Sequence, residues 1–262
     1  MSGKSKKKKS KKLPIIIMVI CIAIAAFAGY KLISIGLSYK QASDEYVALK
    51  DYAVEKPETK QESASVSSEK TVEVPLDIDF DALQAINPDI VGWIYIEVED
   101  ISYPIVRADD NDYYLHRTFE GTENFAGSIF MECMNKGDFS DKNTILYGHN
   151  MKDQSMFGKL SSLYDFEDYA IDDTFWILTP DGSYRYKIFN LERTVADSDV
   201  YTLFPEGSVG LKDYIDARIS DSLVKFDIGE YDENSKIVTL STCLNAYDEK
   251  RFVVQGILEG TY

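Results

Sequence analysis

One cysteine, one histidine and one arginine stand where the sequence could combine them for chemistry. The run Ile237-Val238-Thr239-Leu240-Ser241-Thr242-Cys243 predicts a strand that ends in a thiol, and Arg251 follows eight positions later. A second strand-like run, residues 143–147, leads into Gly148-His149-Asn150. A thiol, an imidazole and a guanidinium at strand ends are the components of a cysteine acyl-transfer site. These three residues are therefore our candidate catalytic group.

The side-chain chemistry assigns each candidate a different task. A cysteine attacks as thiolate, and its free pKa of about 8.5 means that it needs a basic or cationic neighbour. His149 follows a glycine at the mouth of a strand, whereas His116 has bulky neighbours and is interpreted as a surface or packing residue. The always charged guanidinium of Arg251 would donate hydrogen bonds to a carbonyl oxygen as negative charge develops there.

Simpler interpretations of these residues stay open at this point. Cys243 could be a small buried apolar residue, which is how we interpret Cys133. Arg251 could be an ordinary surface arginine. The position of Cys243 at the end of a predicted strand supports the catalytic interpretation, and the packing interpretation stays open beside it.

Charge and cysteine content exclude several classes of function. The chain has 262 residues and 28 basic groups, nine of which are lysines in residues 1–40, so 19 basic groups remain against all 44 acidic ones. An acidic body repels phosphate backbones, which argues against nucleic-acid binding. Three cysteines cannot build a disulfide framework, and no Cys-x-x-Cys or paired-histidine spacing indicates zinc. We expect no metal and no cofactor.

The N-terminal segment predicts a membrane anchor. Seven lysines precede an apolar run of about 25 residues, 13–37, which is long enough for a bilayer core of ~30 Å. The positive-inside rule places residues 1–12 in the cytoplasm and the rest of the chain outside the cell. A cleaved signal peptide is the alternative, but the run is long for one. We expect a polar stalk over residues 38–74 and one extracellular catalytic domain over residues 75–262.

The domain is predicted to be mainly β. Eight β-branched or aromatic runs are bounded by Gly, Pro, Asn and Asp, which is typical of a barrel or a sandwich. Helices are predicted at the start of the domain, over residues 157–164, and over residues 209–224 in the long connection before the cysteine-bearing strand. The predicted strands are 91–96, 103–106, 128–132, 143–147, 174–178, 183–196, 236–242 and 252–258.

Three sequence segments together resemble the sortases. They are Thr239-Leu240-Ser241-Thr242-Cys243, Arg251-Phe252-Val253-Val254 and Tyr147-Gly148-His149-Asn150-Met151. The helix-containing connection before Lys236 and the segment Asn87-Pro88-Asp89-Ile90-Val91-Gly92-Trp93 are similar to class B members in particular. The resemblance covers about residues 75–262 and implies a closed eight-stranded β-barrel.

The resemblance also implies roles for individual residues. Cys243 would be the nucleophile, His149 the general acid and later the general base, and Arg251 the clamp on the oxyanion or substrate carbonyl. Ser241, Tyr147 and Asn111 would line the substrate groove, with plain packing or a surface position as their alternative. We interpret Asp248 and Glu249, in the loop before Arg251, as solvated charges and not as partners of the arginine.

The implied activity is transpeptidation at a Gram-positive cell envelope. The enzyme would cut a C-terminal sorting signal, such as Asn-Pro-x-Thr, after its threonine, hold the acyl part as a thioester and transfer it to an amine of peptidoglycan or of its lipid-linked precursor. Two alternatives are a cell-surface thiol hydrolase or protease, and a tethered envelope-binding module without catalysis. For the latter, the 18 tyrosines and two tryptophans would decorate a β-surface.

Overall fold

The computed structural model describes residues 12–56, 72–164, 173–244 and 249–262. Contacts divide the chain into two compact units, Met1–Asp44 and Glu45–Tyr262. Helix α1 (Lys12–Leu49) has a mean hydropathy of 2.4 in its most apolar part. Among the described residues it is the one helix that length and composition would allow to cross a membrane. Most of the predicted cytoplasmic tail lies outside the described residues.

The folded unit begins earlier in the chain than the predicted boundary at Pro75. It starts at Glu45, within the segment that we expected to be a stalk. Strand β1 (Ala53–Glu55), which lies within that segment, pairs antiparallel with strand β2 (Leu76–Ile78), which follows it, and the two form a small two-stranded sheet. This pairing was not predicted, because backbone pairing of three-residue strands leaves little trace in the side-chain pattern. Residues 57–71 of the predicted stalk are not described.

The main element is the predicted eight-stranded barrel, which is closed. It follows helix α2 (Phe80–Ile86), whose first turn is capped by the Asp79 carboxylate through the Ala82 amide at 3.0 Å. The barrel strands are β3 (Ile90–Ile96), β4 (Ile101–Val106), β5 (Ile129–Met131), β6 (Asn143–Tyr147), β7 (Thr174–Thr179), β8 (Gly182–Val195), β9 (Ile237–Cys243) and β10 (Lys250–Thr261).

The order of the strands around the barrel brings distant segments of sequence together. It runs β10-β8-β7-β3-β4-β5-β6-β9 and closes between β9 and β10. Two of the pairs are parallel, β4 with β5 and β6 with β9. The parallel pairing of β6 with β9 places the segment after Tyr147 and the end of the cysteine-bearing strand at the same end of the barrel.

Apolar side chains fill the barrel and hold the strands in register. The largest side chains that are almost wholly buried are aromatic: Trp93, Phe119, Phe157, Phe175, Tyr186, Phe189 and Phe252. Burial of an aromatic or branched aliphatic side chain stabilises a fold by about 1.5–3 kcal/mol. A core of this size keeps the ends of β6, β9 and β10 in fixed relative positions.

Helix α3 (Leu211–Asp221) lies in the long connection between β8 and β9, as predicted. Leu211 and Ile215 pack against Phe189, Ile237 and Ile257. The helix is shorter than its predicted range of 209–224 and ends before Leu223, which is 40% exposed. In the predicted helical region 157–164, the structure instead has a 3-10 helix, residues Leu160–Tyr164.

Candidate active site

A cavity of about 260 Å³ opens at the end of the barrel where β6 and β9 finish. Five of the six predicted site residues line it: Cys243, His149, Arg251, Ser241 and Tyr147. The sixth, Asn111, is not among the lining residues. The cavity is also lined by Leu115, Phe130, Gly148, Ala196, Tyr201 and Thr242.

Strand register aligns the three candidate catalytic residues. In the antiparallel pair β9–β10, Cys243 lies directly opposite Arg251. In the parallel pair β6–β9, Tyr147 is matched with Ser241, and the Gly148 amide donates to the Ser241 carbonyl oxygen at 3.1 Å. His149 is two residues beyond Tyr147, and Cys243 is two residues beyond Ser241. The imidazole and the thiol therefore leave neighbouring strands at the same level.

The imidazole of His149 is held by the backbone of the β4–β5 connection. Its Nε2 atom lies 2.7 Å from the carbonyl oxygen of Leu115. A carbonyl oxygen only accepts, so Nε2 carries a proton and Nδ1 is the nitrogen left to exchange one. Burial lowers the pKa of His149, and the nearby His116 lowers it further, while the bond to Leu115 acts in the opposite direction.

His116 lies closer to the site than the sequence indicated. Its ring stacks near that of His149, with 6.3 Å between the ring centroids and 25° between the planes. The side chain is exposed, which agrees with the predicted surface position. Its charge nevertheless acts on His149, a relationship that sequence spacing gave no means of finding.

Two glycines allow the close backbone approach that the His149 position requires. A β-carbon on Gly148 would lie 2.5 Å from Ile129 Cδ1 and 2.7 Å from the Phe157 ring. Gly127 has a φ of +59°, and a β-carbon there would lie 2.7 Å from the Leu115 carbonyl oxygen. Any larger residue at either position would push on the segments that hold the imidazole.

Asn150 ties the histidine-bearing loop to the end of β9. Its Nδ2 atom donates to the carbonyl oxygen of Cys243 at 2.8 Å and to that of Leu244 at 3.3 Å. The contact fixes the backbone of the nucleophile candidate relative to the residue beside His149. Sequence reasoning missed this role, and the adjacency of Asn150 to His149 was its one available signal.

The Arg251 guanidinium lies on the same side of the barrel wall as the thiol. It is half-buried, and its Nη1 atom donates to the Lys250 carbonyl oxygen at 3.2 Å. In the preceding loop, Glu249 is exposed, and its backbone carbonyl accepts from the Ala196 amide at 3.1 Å. Asp248 lies outside the described residues.

Tyr201 lines the cavity next to Ser241 of β9 and was not predicted. It belongs to a 3-10 helix, residues Asp199–Tyr201, and its hydroxyl is 2.7 Å from the Ser241 hydroxyl. Burial raises the pKa of Tyr201, partly offset by the Ser241 bond and the positive charge of Arg251. A single residue in an irregular loop has no periodic sequence signal, so only the tertiary structure reveals it.

The side chains of Tyr147 and Asn111 meet at the Glu132 carboxylate. Tyr147 donates to Glu132 Oε2 at 2.8 Å, and the Asn111 amide donates to both carboxylate oxygens at 2.9 and 2.8 Å. Burial alone would raise the pKa of Glu132, but these hydrogen bonds outweigh it and lower the pKa. Asn111 therefore reaches the cavity wall only through Glu132 and Tyr147.

Comparison with known proteins shows which family the chain belongs to. A family model described as "Sortase domain" matches residues 94–259, which is more than half of the chain and includes all three candidate catalytic residues. The chain belongs to the sortase family. It is 38% identical to sortase B of Listeria monocytogenes over 179 residues, covering 67% of this chain and 72% of that one. It is 32% identical to sortase B of Staphylococcus aureus over 177 residues, with the same coverage of both chains.

Solved sortase B structures share the fold. The crystal structure of Bacillus anthracis sortase B in complex with AAEK1 matches with a TM-score of 0.69 at 32% identity, covering 86% of this chain and 99% of that one. The predicted resemblance to class B sortases and the predicted closed barrel are thereby confirmed.

Membership of the family establishes the class of reaction. Sortases are cysteine transpeptidases, so this chain is an enzyme of that class. The family acts on proteins that carry sorting signals and on peptidoglycan. Within the described residues, no group of three or more His, Cys, Asp or Glu side chains is arranged to hold a metal ion.

Proposed function

We propose that this sortase is a membrane-anchored class B enzyme that joins secreted proteins to peptidoglycan through a thioester on Cys243. The observation that supports the proposal most strongly is the register of three strands. It brings Cys243, His149 and Arg251 into one cavity, each from a different strand end.

In the first half-reaction, the Cys243 thiol passes its proton to Nδ1 of His149, and the resulting thiolate attacks the threonine carbonyl carbon of the sorting signal. The carbonyl electrons move onto oxygen, and Arg251 donates hydrogen bonds to that developing oxyanion, an effect worth ~3 kcal/mol per donor at comparable sites. His149 then gives its Nδ1 proton to the leaving amine. The C–N bond breaks, and the acyl part remains on sulfur as a thioester.

In the second half-reaction, an amine from peptidoglycan or its lipid-linked precursor enters the site. His149 is now neutral and accepts a proton from this amine as the amine attacks the thioester carbonyl. The C–S bond breaks, an amide forms, and the thiolate and the imidazolium are restored. The hydrogen bond from Nε2 to Leu115 keeps the ring oriented in both steps.

The substrate groove is proposed to follow the cavity wall. Ser241 and Tyr147 line it directly, and Asn111 acts on it by holding Glu132 against the Tyr147 hydroxyl. Burial and the charge of Glu132 raise the pKa of Tyr147, which keeps the phenol protonated. We propose an Asn-Pro-x-Thr-like signal as the preferred substrate, since the relatives found are class B enzymes.

We further propose that α1 anchors the enzyme with its lysine-rich end in the cytoplasm. A helix of this hydropathy and length fits a bilayer core of ~30 Å. Protease treatment of intact cells tests the orientation. Loss of the catalytic domain with retention of a protected N-terminal fragment supports the proposal, whereas a domain that is cleaved only after lysis contradicts it.

A partition experiment tests the reaction and separates it from hydrolysis. Full-length protein in detergent is given Asn-Pro-x-Thr and Leu-Pro-x-Thr peptides, each with increasing amounts of a short peptide amine. Transpeptidation predicts that the amide product replaces the free acid as amine increases, with the Asn-Pro-x-Thr series turned over faster. Release of only the free acid at every amine concentration would identify a thiol hydrolase. No turnover by the wild type, with the same result for Cys243→Ala, would favour the binding-module alternative.

A further inference from the structure

The long connection between β8 and β9 is held by hydrogen bonds on both sides of Tyr201, one from helix α3 and one from strand β6. The carbonyl oxygen of Val200 accepts from the Tyr214 hydroxyl at 2.7 Å. The carbonyl oxygen of Thr202 accepts from Asn143 Nδ2 at 3.0 Å. Tyr201, between them, is thus held at both neighbouring peptide groups. Its own hydroxyl is the group that meets Ser241 at the cavity.

One buried amide joins these two attachments. Gln255 Nε2 donates to the Tyr214 hydroxyl at 2.7 Å and to the Thr239 hydroxyl at 2.8 Å. The Thr239 hydroxyl in turn donates to Asn143 Oδ1 at 2.8 Å. Gln255 and Thr239 are completely inaccessible to solvent, and Asn143 nearly so. The chain of bonds therefore runs without interruption from one side of Tyr201 to the other.

The donor and the acceptor of every hydrogen bond in this network can be assigned. The Val200 carbonyl can only accept, so the Tyr214 hydroxyl must donate to it and accept from Gln255. The Thr202 carbonyl fixes the Asn143 amide in the same way, which makes Thr239 a donor to Asn143 and an acceptor from Gln255. Gln255 Nε2 must therefore donate one proton to Tyr214 and one to Thr239, and a side-chain amide nitrogen carries the two protons that this requires.

Gln255 and Thr239 lie on the two strands that carry the catalytic candidates. They are directly opposite each other in the β9–β10 pair. Thr239 lies four residues before Cys243 on β9, and Gln255 lies four residues after Arg251 on β10. The network therefore connects the position of Tyr201 to the same two strands that fix the thiol and the guanidinium. We propose that Gln255, with Tyr214, Thr239 and Asn143, forms a positioning network that sets the Tyr201 wall of the peptide groove. This inference rests on the proposed transpeptidase function of the cavity.

The central variant for testing the network is Tyr214→Phe, which keeps the ring but removes the hydroxyl that joins Gln255 to Val200. We expect kcat/KM for the sorting-signal peptide to fall about three- to tenfold, mainly through a higher KM. Methanethiosulfonate labelling of Cys243 should keep its wild-type rate, because a small reagent does not need the groove. Tyr231→Phe is the matched control: it is close to the same helix, and its hydroxyl donates to the exposed Asp216 at 2.6 Å. It should leave kcat/KM unchanged.

A double-mutant cycle with Tyr201 distinguishes positioning from general stability. If Tyr214 acts through Tyr201, Tyr214→Phe should change kcat/KM less than about twofold in a Tyr201→Ala background. An equal loss in both backgrounds, or no loss in either, would overturn the network proposal.

Gln255→Glu gives a second test of the network. The carboxylate is similar in shape to the amide but cannot supply both donors, so KM should rise at least as much as in Tyr214→Phe. An inactive wild type would instead count against the proposed function itself.

Discussion

Cys243 and Arg251 face each other directly across the antiparallel pair of β9 and β10. Directly opposed residues in such a pair place their side chains on the same side of the sheet, with β-carbons about 4.5–5.5 Å apart. The eight-residue separation in sequence is therefore removed by the hairpin-like return of β10. The thiol and the guanidinium reach one cavity because of strand register, which the core enforces.

Replacement of Arg251 by lysine tests the proposed oxyanion clamp. Lysine keeps the positive charge but lacks the planar fork of donors, so we expect kcat to fall about 10²-fold with a smaller change in KM. Arg193→Lys is the matched control, since Arg193 is also in the β8–β10 sheet but stacks on Tyr164, 5.0 Å from the ring centroid. It should leave kcat near wild type. Wild-type turnover by Arg251→Lys would show that the arginine role is misassigned.

The acidity of His149 should depend on its neighbour His116. Burial and His116 both lower the pKa of His149, so it should titrate below the usual value of about 6.5. His116→Gln removes one of these causes and should move the pKa upward. Because the chain has two histidines, NMR titration of this variant follows His149 alone. An unchanged or lower pKa would contradict the assigned electrostatic contact.

The same pKa has a consequence for stability. With the folded-state pKa below the unfolded-state value, the unfolded chain binds more protons in the pH range between them. The contribution of His149 to the free energy of unfolding is therefore present above the unfolded pKa and is lost as pH falls through that range. Chemical denaturation of the wild type and of His149→Gln at several pH values measures this contribution. The difference between their free energies of unfolding should change with pH only below about 7.

Gly148 should not tolerate a side chain. A β-carbon at this position would contact Ile129 Cδ1 at 2.5 Å, so Gly148→Ala should reduce the free energy of unfolding by about 1–3 kcal/mol and reduce turnover. Adding Ile129→Val removes the contacting atom and should restore part of the loss. A β-carbon on Gly229 would have no atoms within 4 Å, so Gly229→Ala should change stability by less than ~0.5 kcal/mol. Equal stability of Gly148→Ala and wild type would refute the packing argument.

The two cysteines of the folded domain should differ in reactivity. Cys243 lines the open cavity, whereas burial and a hydrogen bond to Glu132 raise the pKa of Cys133 and reduce its thiolate fraction. Mass mapping after brief methanethiosulfonate treatment should therefore find the label on Cys243 before Cys133. Glu132→Gln should speed the labelling of Cys133, because it removes the negative charge beside the sulfur. Earlier labelling of Cys133 in the wild type would be the contrary result.

The barrel was predictable because buried strands carry a strong side-chain pattern. Asn143–Tyr147 was predicted with its observed bounds, and the other seven runs differ at their ends by a few residues. The closed form came from the family resemblance, since strand patterns alone fit a barrel or a sandwich. The short strands β1 and β2 were missed because three-residue strands in polar sequence are stabilised by backbone pairing and leave little apolar pattern.

The site was predictable where chemistry is concentrated in rare residues at strand ends. Cys243, His149 and Arg251 met this condition. Tyr201 and Asn150 did not, since a tyrosine in an irregular loop and an asparagine after a histidine have many possible roles. For Asn111, the resemblance predicted a side chain that lines the groove. In the structure its amide instead donates to the Glu132 carboxylate, a contact that the sequence did not indicate.

The central claim is that catalysis passes through a thioester on Cys243. The most direct measurement is the intact mass of the full-length enzyme, quenched in acid shortly after mixing with a sorting-signal peptide and no amine. We predict a mass increase equal to the acyl half of the peptide, located on Cys243, released by hydroxylamine and missing from Cys243→Ala. Amide product formed by Cys243→Ala at the wild-type rate, or an adduct mapped to any other residue, would contradict the account.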